Sequence, residues 1–158
     1  MAQTQELPSL EILGDLLQEF VNHVSHARGK TLAALADASV TLPQVLLLRR
    51  IAANGESNPS ELAEQMHMSL PAVSQMLGRL FQLGLVSRAE SADDRRKKVV
   101  AATPEAGLLL KRIRKARSAD YAAGIARLSP RLRTSLARVL RDALDELPQQ
   151  SPRQMNYS

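Results

Sequence analysis

Two groups of side chains in this sequence have the types and spacing to do chemistry, and in both cases that chemistry is recognition of a polyanion. The first is Asp93-Asp94-Arg95-Arg96-Lys97-Lys98, two carboxylates directly before four cations. Adjacent acids in a loop suit turn geometry better than acid–base work, which needs two acids held apart in a cleft. The second group lies between Ser69 and Arg79. Wound as a helix at about 100° per residue, Val73, Met76, Leu77 and Leu80 gather on one side. Pro71, Ala72, Ser74, Gln75, Gly78 and Arg79 gather on the other. That second side is slim and carries no acid. Gln75 can pair bidentately with adenine, and Pro71 and Ala72 can lie against thymine methyls. Arg79 suits a phosphate, as do the Ser69 hydroxyl and the free amides of the helix start. An ordinary solvated face has the same amphipathic pattern but usually carries more Glu and Lys.

These side chains need elements to hold them. Asn58 can cap a helix, Pro59 takes its first position, and Glu61 would complete a capping box. A turn follows at His67 and Met68, then Ser69 caps a helix that runs to Gln82 and Leu83 and stops at Gly84. Two short helices joined this tightly suggest a helix-turn-helix, and its packing can be read on the residues. A small residue, Ala63, stands where the helices cross, and Val73 presses back ten residues later. Leu62, Met66, Met68 and Met76 take the remaining inward positions. His67 stands where a turn prefers glycine, but histidine tolerates left-handed dihedrals better than most residues. Ahead of the motif, "TLPQVLLLRRIAANG" reads as a buried helix ending at Gly55. Behind it, Leu85 to Ala89 and Lys97 to Thr103 read as two strands flanking the charged tip. A helix-turn-helix followed by a hairpin is a winged helix. Its recognition helix would be 69–83 and its wing 88–98, with Arg95, Arg96 and Lys97 beside the DNA.

The ends of the chain carry long amphipathic helices. Leu10, Leu13, Leu17, Phe20 and Val24 recur at steps of three and four, and Leu16 and Val21 widen the stripe. Leu132, Leu136, Val139, Leu140, Ala143, Leu144 and Leu147 make a second stripe, opened by Ser129-Pro130 and closed by Pro148. Each stripe needs a partner, either the other or a second subunit. Between them a helix starts at Thr103-Pro104 and runs to about Leu128. Its cations (Lys111, Arg112, Arg114, Lys115, Arg117) point all round and match the acids Glu6, Glu11, Asp15 and Glu19 of the first helix. The expected fold class is therefore mainly α with a small β-hairpin wing. Residues 148–158 have nothing to bury and are expected to be disordered.

Composition narrows the function further. Aromatics are 3% of the 158 residues, so Leu, Ala and Val must build the core, which favours helices. The net charge of +5 favours an acidic partner, nucleic acid before membrane. Without cysteine there are no disulfides, thiolate metal sites or cysteine-based redox sensing. His23 and His26 share a helix face but lack the further ligands a metal site needs. No nucleophile–base pair, Gly-rich phosphate loop or catalytic acid pair is present, so neither an enzyme nor a cofactor is expected. No Lys or Arg precedes Arg28, and no apolar run is long enough to span a bilayer, so a cytoplasmic protein without membrane partners is expected.

With these residues in place, the sequence resembles the MarR family of winged-helix regulators. The resemblance is carried by "LPQVLLLRRIAANG", "NPSELAEQMHMSLPAVSQMLGRLFQLGLVSR", "DDRRKKVVAATPEAG" and the long terminal helices. Its most specific piece is Asp94-Arg95-Arg96 before a strand ending in Thr103-Pro104. One departure is Ala106, where the family usually has glycine; Gly107 follows, which leaves the helix register open. The resemblance implies that Arg96 enters the minor groove and that Asp94 steadies the wing. Arg88, on the facing strand, is the candidate ion-pair partner for Asp94. It implies a homodimer built by 1–40 and 103–147, with Leu10, Leu13, Leu17, Phe20, Leu132, Leu136, Val139, Leu140 and Leu144 in the interface. Residues 41–102 would form the DNA-binding lobe. A dimer predicts a palindromic operator with half-sites roughly 10 bp apart. The resemblance also implies a repressor released by a small-molecule effector bound between dimer helices and lobe. His23, His26 and Arg49 are the candidates for lining that site, although each suits a surface or interface equally. The alternative reading is a winged-helix module that binds protein without specific DNA binding; such modules normally lose the basic wing.

Overall fold

The computed structural model describes residues 9–25, 29–90 and 98–147. In chain order the elements are α1 (Leu10–Ser25), α2 (Lys30–Asp37), α3 (Leu42–Asn54), α4 (Pro59–Gln65) and α5 (Leu70–Gln82). Then come β1 (Val86–Glu90), β2 (Lys98–Ala102), α6 (Pro104–Ile125) and α7 (Pro130–Glu146). The architecture is mainly α with a two-stranded antiparallel hairpin, a winged helix-turn-helix lobe flanked by long helices.

The core of the lobe forms around α3, whose Val45, Leu47, Leu48 and Ile51 are buried. Leu62 of α4, Val73 and Leu80 of α5, Val86 and Val100 of the hairpin, and Ala106 and Leu109 of α6 close over them. Side-chain caps set where the helices begin. Thr41 and Gln44 form a reciprocal capping box at α3. At α4, the Asn58 Oδ1 accepts from the Ser60 amide at 2.8 Å. The box expected with Glu61 is not formed; Asn58 satisfies the second amide of the turn instead. Ser69 and Ser129 cap α5 and α7 by accepting from Ala72 N (3.4 Å) and Leu132 N (3.3 Å).

Thr103 has two tasks. Its hydroxyl accepts from the Ala106 amide at 3.3 Å and donates to the Gly84 carbonyl at 2.8 Å. The first bond fixes the α6 register with Pro104 in the first turn and places buried Ala106 at the third helical position. The second ties the end of the recognition-helix segment to the strand exit. Ser57 adds a third strand position to the hairpin, exchanging two 2.9 Å backbone bonds with Val100.

α2 was not foreseen from the sequence. Its N-cap is Gly29, in the left-handed region at φ 64° and without a capping side chain. Asp120 of α6 supplies the cap from outside, accepting from Lys30 N (3.1 Å), Thr31 N (2.9 Å) and Thr31 Oγ1 (2.8 Å). The Thr31 amide above all holds the Asp120 carboxyl below its ordinary range, against the opposing effect of burial. The sign of the pH effect follows. With a depressed folded pKa, the contribution is complete above the unfolded value, about 3.9, and is lost as pH falls through the folded value. Asp120→Asn should therefore melt several degrees lower than wild type at pH 7. The gap should begin to narrow below about pH 4 and close as pH falls through the lower folded value, where the wild-type carboxyl also protonates. Thermal unfolding across that range checks it; a gap constant with pH would mean that the charge is not what matters.

α1 crosses α6 where Gly124 lies against the backbone of Val24; a Cβ there would come within 2.5 Å of the Val24 Cα. The expected charge matching between α1 and α6 is not formed within the chain among the described residues. α1 meets the far end of α6, while Arg112 reaches the other way and donates to the Ala34 carbonyl of α2 at 3.4 Å. α6 also ends at Ile125, three residues before the expected Leu128. The two apolar stripes do not cover one another either. No residue of α7 is buried, and Leu132, Val139, Leu140 and Leu144 stand 46–66% exposed. Leu10, Leu13 and Leu17 of α1 are exposed too, while Phe20 and Leu136 are half-buried. Among the described residues, no single helix is long and apolar enough to cross a membrane. The tail 148–158, expected to be disordered, lies outside the described residues.

Candidate nucleic-acid interface

Two backbone bonds close the turn between α4 and α5: His67 N to Glu64 O at 3.1 Å and Met68 N to Ala63 O at 3.0 Å. His67 adopts φ 51°, the left-handed conformation that the turn requires. Ala63 and Val73 are both buried at the crossing. Met66, Met68 and Met76 pack half-buried around them. The crossing aims the outer side of α5 away from the protein.

That outer side has the composition read from the sequence. Pro71, Ser74, Gln75 and Arg79 are exposed, and Ala72 and Gly78 are half-buried. No acid occurs anywhere in α5. A Cβ on Gly78 would meet nothing within 4 Å, so the packing of the chain does not require glycine there. Its effect is to keep the outer face low. Ser69 stands exposed at the helix start, its hydroxyl at the open end of the helix dipole.

Beside α5 the hairpin pairs Val86 with Ala102, Arg88 with Val100 and Glu90 with Lys98. Residues 91–97 join its paired ends. The tip residues Asp94, Arg95, Arg96 and Lys97 belong to that stretch and lie outside the described residues. Arg88, expected to pair with Asp94, has a described partner of another kind. Its guanidinium carbon lies 4.9 Å from the centroid of the Phe81 ring. Sequence reading missed this contact. The available signal was an aromatic one position before the end of α5 and an arginine on the strand face that packs against it.

The remaining candidates are dispersed. His23 Nδ1 lies 3.0 Å from the Glu19 carbonyl. It borders a groove of about 570 Å³ between α1 and the end of α6, together with Leu16, Phe20, Val24, Gly124 and Arg127. Arg49 is exposed on α3 and is not among the groove residues, and His26 lies outside the described residues. Among the described residues no group of three or more metal-ligating side chains comes together.

The MarR family model matches residues 40–98, which hold α3, both helices of the helix-turn-helix and β1, and end at the first residue of β2. Over these residues the chain is similar to the MarR family. The HTH-type transcriptional regulator YfiV of Bacillus subtilis is 35% identical over 82 residues, 48% of this chain and 51% of YfiV. This chain therefore spans about half the length of that relative. Solved structures extend the likeness in fold over the terminal helices. The transcriptional regulator Tm0710 of Thermotoga maritima superposes with a TM-score of 0.72 at 18% identity, covering 85% of this chain and 93% of Tm0710. MepR of S. aureus, as a point mutant bound to an oligodeoxyribonucleotide, superposes with a TM-score of 0.61 at 18% identity, over 90% of this chain and all of MepR. At such identities these likenesses establish the fold alone.

Proposed function

We propose that this chain is a homodimeric, sequence-specific DNA-binding transcriptional regulator. The observation that carries the reading is the outer face of α5, exposed, free of acids and kept low by a glycine that packing does not require. On this reading α5 enters the major groove. Gln75 reads base edges, Pro71 and Ala72 lie against thymine methyls, and Ser69, Ser74 and Arg79 hold the backbone. On the same reading Arg95, Arg96 and Lys97 meet the adjacent minor groove, and Asp94 and Arg88 steady the wing.

The segments 1–40 and 103–147 dimerise through the uncovered stripes of α1 and α7, and 41–102 acts as the DNA-binding lobe. A two-fold dimer then reads a palindrome. Bound over a promoter, such a dimer excludes polymerase and acts as a repressor. A small-molecule effector that favours a different spacing of the two recognition helices releases it. His23, on the groove beside α1, is the first position to substitute in a search for that effector.

The test is binding to the promoter DNA flanking its own gene, across several salt concentrations and with a footprint. Nanomolar, steeply salt-dependent binding with two protected half-sites roughly 10 bp apart supports the reading. Weak binding, indifferent to sequence, would overturn it.

A further inference from the structure

We infer that Arg88 is a DNA-backbone contact on the wing side of the recognition helix, and that Phe81 is the residue that positions it. The inference rests on the DNA-binding reading above and deepens it. Arg79 and Phe81 are two residues apart on α5, hence about 200° apart around the helix axis. They occupy the two flanks of the outer face, with Pro71, Gln75 and Gly78 between them. A helix lying in a major groove about 12 Å wide presents each flank to one phosphate wall. Arg79 serves one wall directly. On the other flank the helix offers a benzene ring, 48% exposed, which has no charge of its own to offer a phosphate.

Arg88 supplies that charge. Along β1 it follows Val86 on the same strand face, and Val86 is buried against the core. Two residues further out, the strand has left the core, and Arg88 is exposed with its guanidinium over Phe81 at 4.9 Å. A cation–π contact is an attraction to the ring as a whole and takes up no hydrogen-bond acceptor. A guanidinium spreads five N–H donors in a fork, so those pointing away from the ring can meet a phosphate. Phe81 thus holds a cation in place while donors remain for the phosphate. A lysine at 88 would lack that division of labour, because its ammonium is a single compact charge.

The experiment compares Arg88→Ala, Phe81→Leu, Phe81→Tyr and the Arg88→Ala/Phe81→Leu double variant in operator and non-operator binding across a salt series. Gln75→Ala and Arg96→Ala serve as references for the DNA-binding reading. Arg88→Ala is expected to weaken both DNAs alike and to lower the salt slope by about 0.9 per protomer. Phe81→Leu should lose roughly two- to fivefold in affinity, Phe81→Tyr should retain it, and Phe81→Leu should cost nothing further once Arg88 is alanine. Three outcomes overturn the inference: equal loss from Phe81→Leu with and without Arg88; an Arg88→Ala effect that vanishes in an Asp94→Ala background, which would make Arg88 a wing brace only; or an unchanged salt slope in Arg88→Ala. If Gln75→Ala and Arg96→Ala are also silent, the DNA-binding reading itself fails. If they weaken binding while Arg88→Ala does not, only the present inference falls.

Discussion

Leu140→Asp in α7 is expected to leave the winged-helix lobe folded, convert the protein to monomers and weaken operator binding by about 10²- to 10⁴-fold. The lobe has its own core around α3, α4 and α5, and α7 contributes no residue to it. α7 instead carries a stripe of large apolar side chains, with Leu132, Val139, Leu140 and Leu144 46–66% exposed on the single chain. A stripe of that size on one helix is a surface that monomeric proteins rarely leave open. A carboxylate set into it on dimerisation would be buried without a partner, at a cost of several kcal/mol. The loss in DNA affinity follows from linkage, because two lobes held together bind their half-sites with an effective local concentration that a monomer lacks. Thr134→Asp adds the same charge to α7 on the face opposite the stripe and serves as the control. Analytical ultracentrifugation and operator titration read both effects. A Leu140→Asp protein that stays dimeric and binds as wild type would remove α7 from the interface.

That stripe was legible in the sequence because it depends only on periodicity within one helix. So were most helix starts. Ser69, Thr103-Pro104 and Ser129-Pro130 carry their caps within three residues, and the structure forms each one. The helix-turn-helix crossing was legible for a related reason: Ala63 and Val73 are near in sequence, and only a small residue opposite an aliphatic one fits there. What stayed hidden depends on distant residues. α2 is an eight-residue helix beginning after a glycine without a capping oxygen, and its cap comes from Asp120, 90 residues further on. No local window contains that partner. The Glu61 box fails for a local reason instead: the pattern permits it, but Asn58 reaches a nearer amide first. Arg88 was assigned by charge to Asp94, and its ring partner Phe81 becomes visible only once β1 is laid against α5. On the candidate interface, residue types were readable from the sequence, whereas which of them share a flank of the groove required the fold.

That distinction between flank and centre leads to the second large effect. Gln75→Ala and Arg79→Ala remove exposed side chains from the same helix face, four residues apart, yet their consequences should differ in kind. Gln75 sits mid-face between the two flanks, where a side-chain amide meets base edges. Its loss should cost roughly 1–3 kcal/mol per half-site on the operator, twice over in a dimer, and almost nothing on non-operator DNA. The specificity ratio collapses while the salt slope holds. Arg79 sits at the flank, where the proposed docking puts the DNA backbone. Its loss should weaken operator and non-operator DNA alike and reduce the salt slope by about 0.9 per protomer. Neither position touches the buried side of α5, so thermal unfolding of both variants should match wild type. The contrast is sharper than either value alone, because a generally weakened or partly unfolded protein lowers both DNAs together. If Gln75→Ala loses affinity for operator and non-operator DNA in equal proportion, α5 does not read bases through this residue. The discrimination would then have to come from the shape and deformability of the site, read by cations on both flanks.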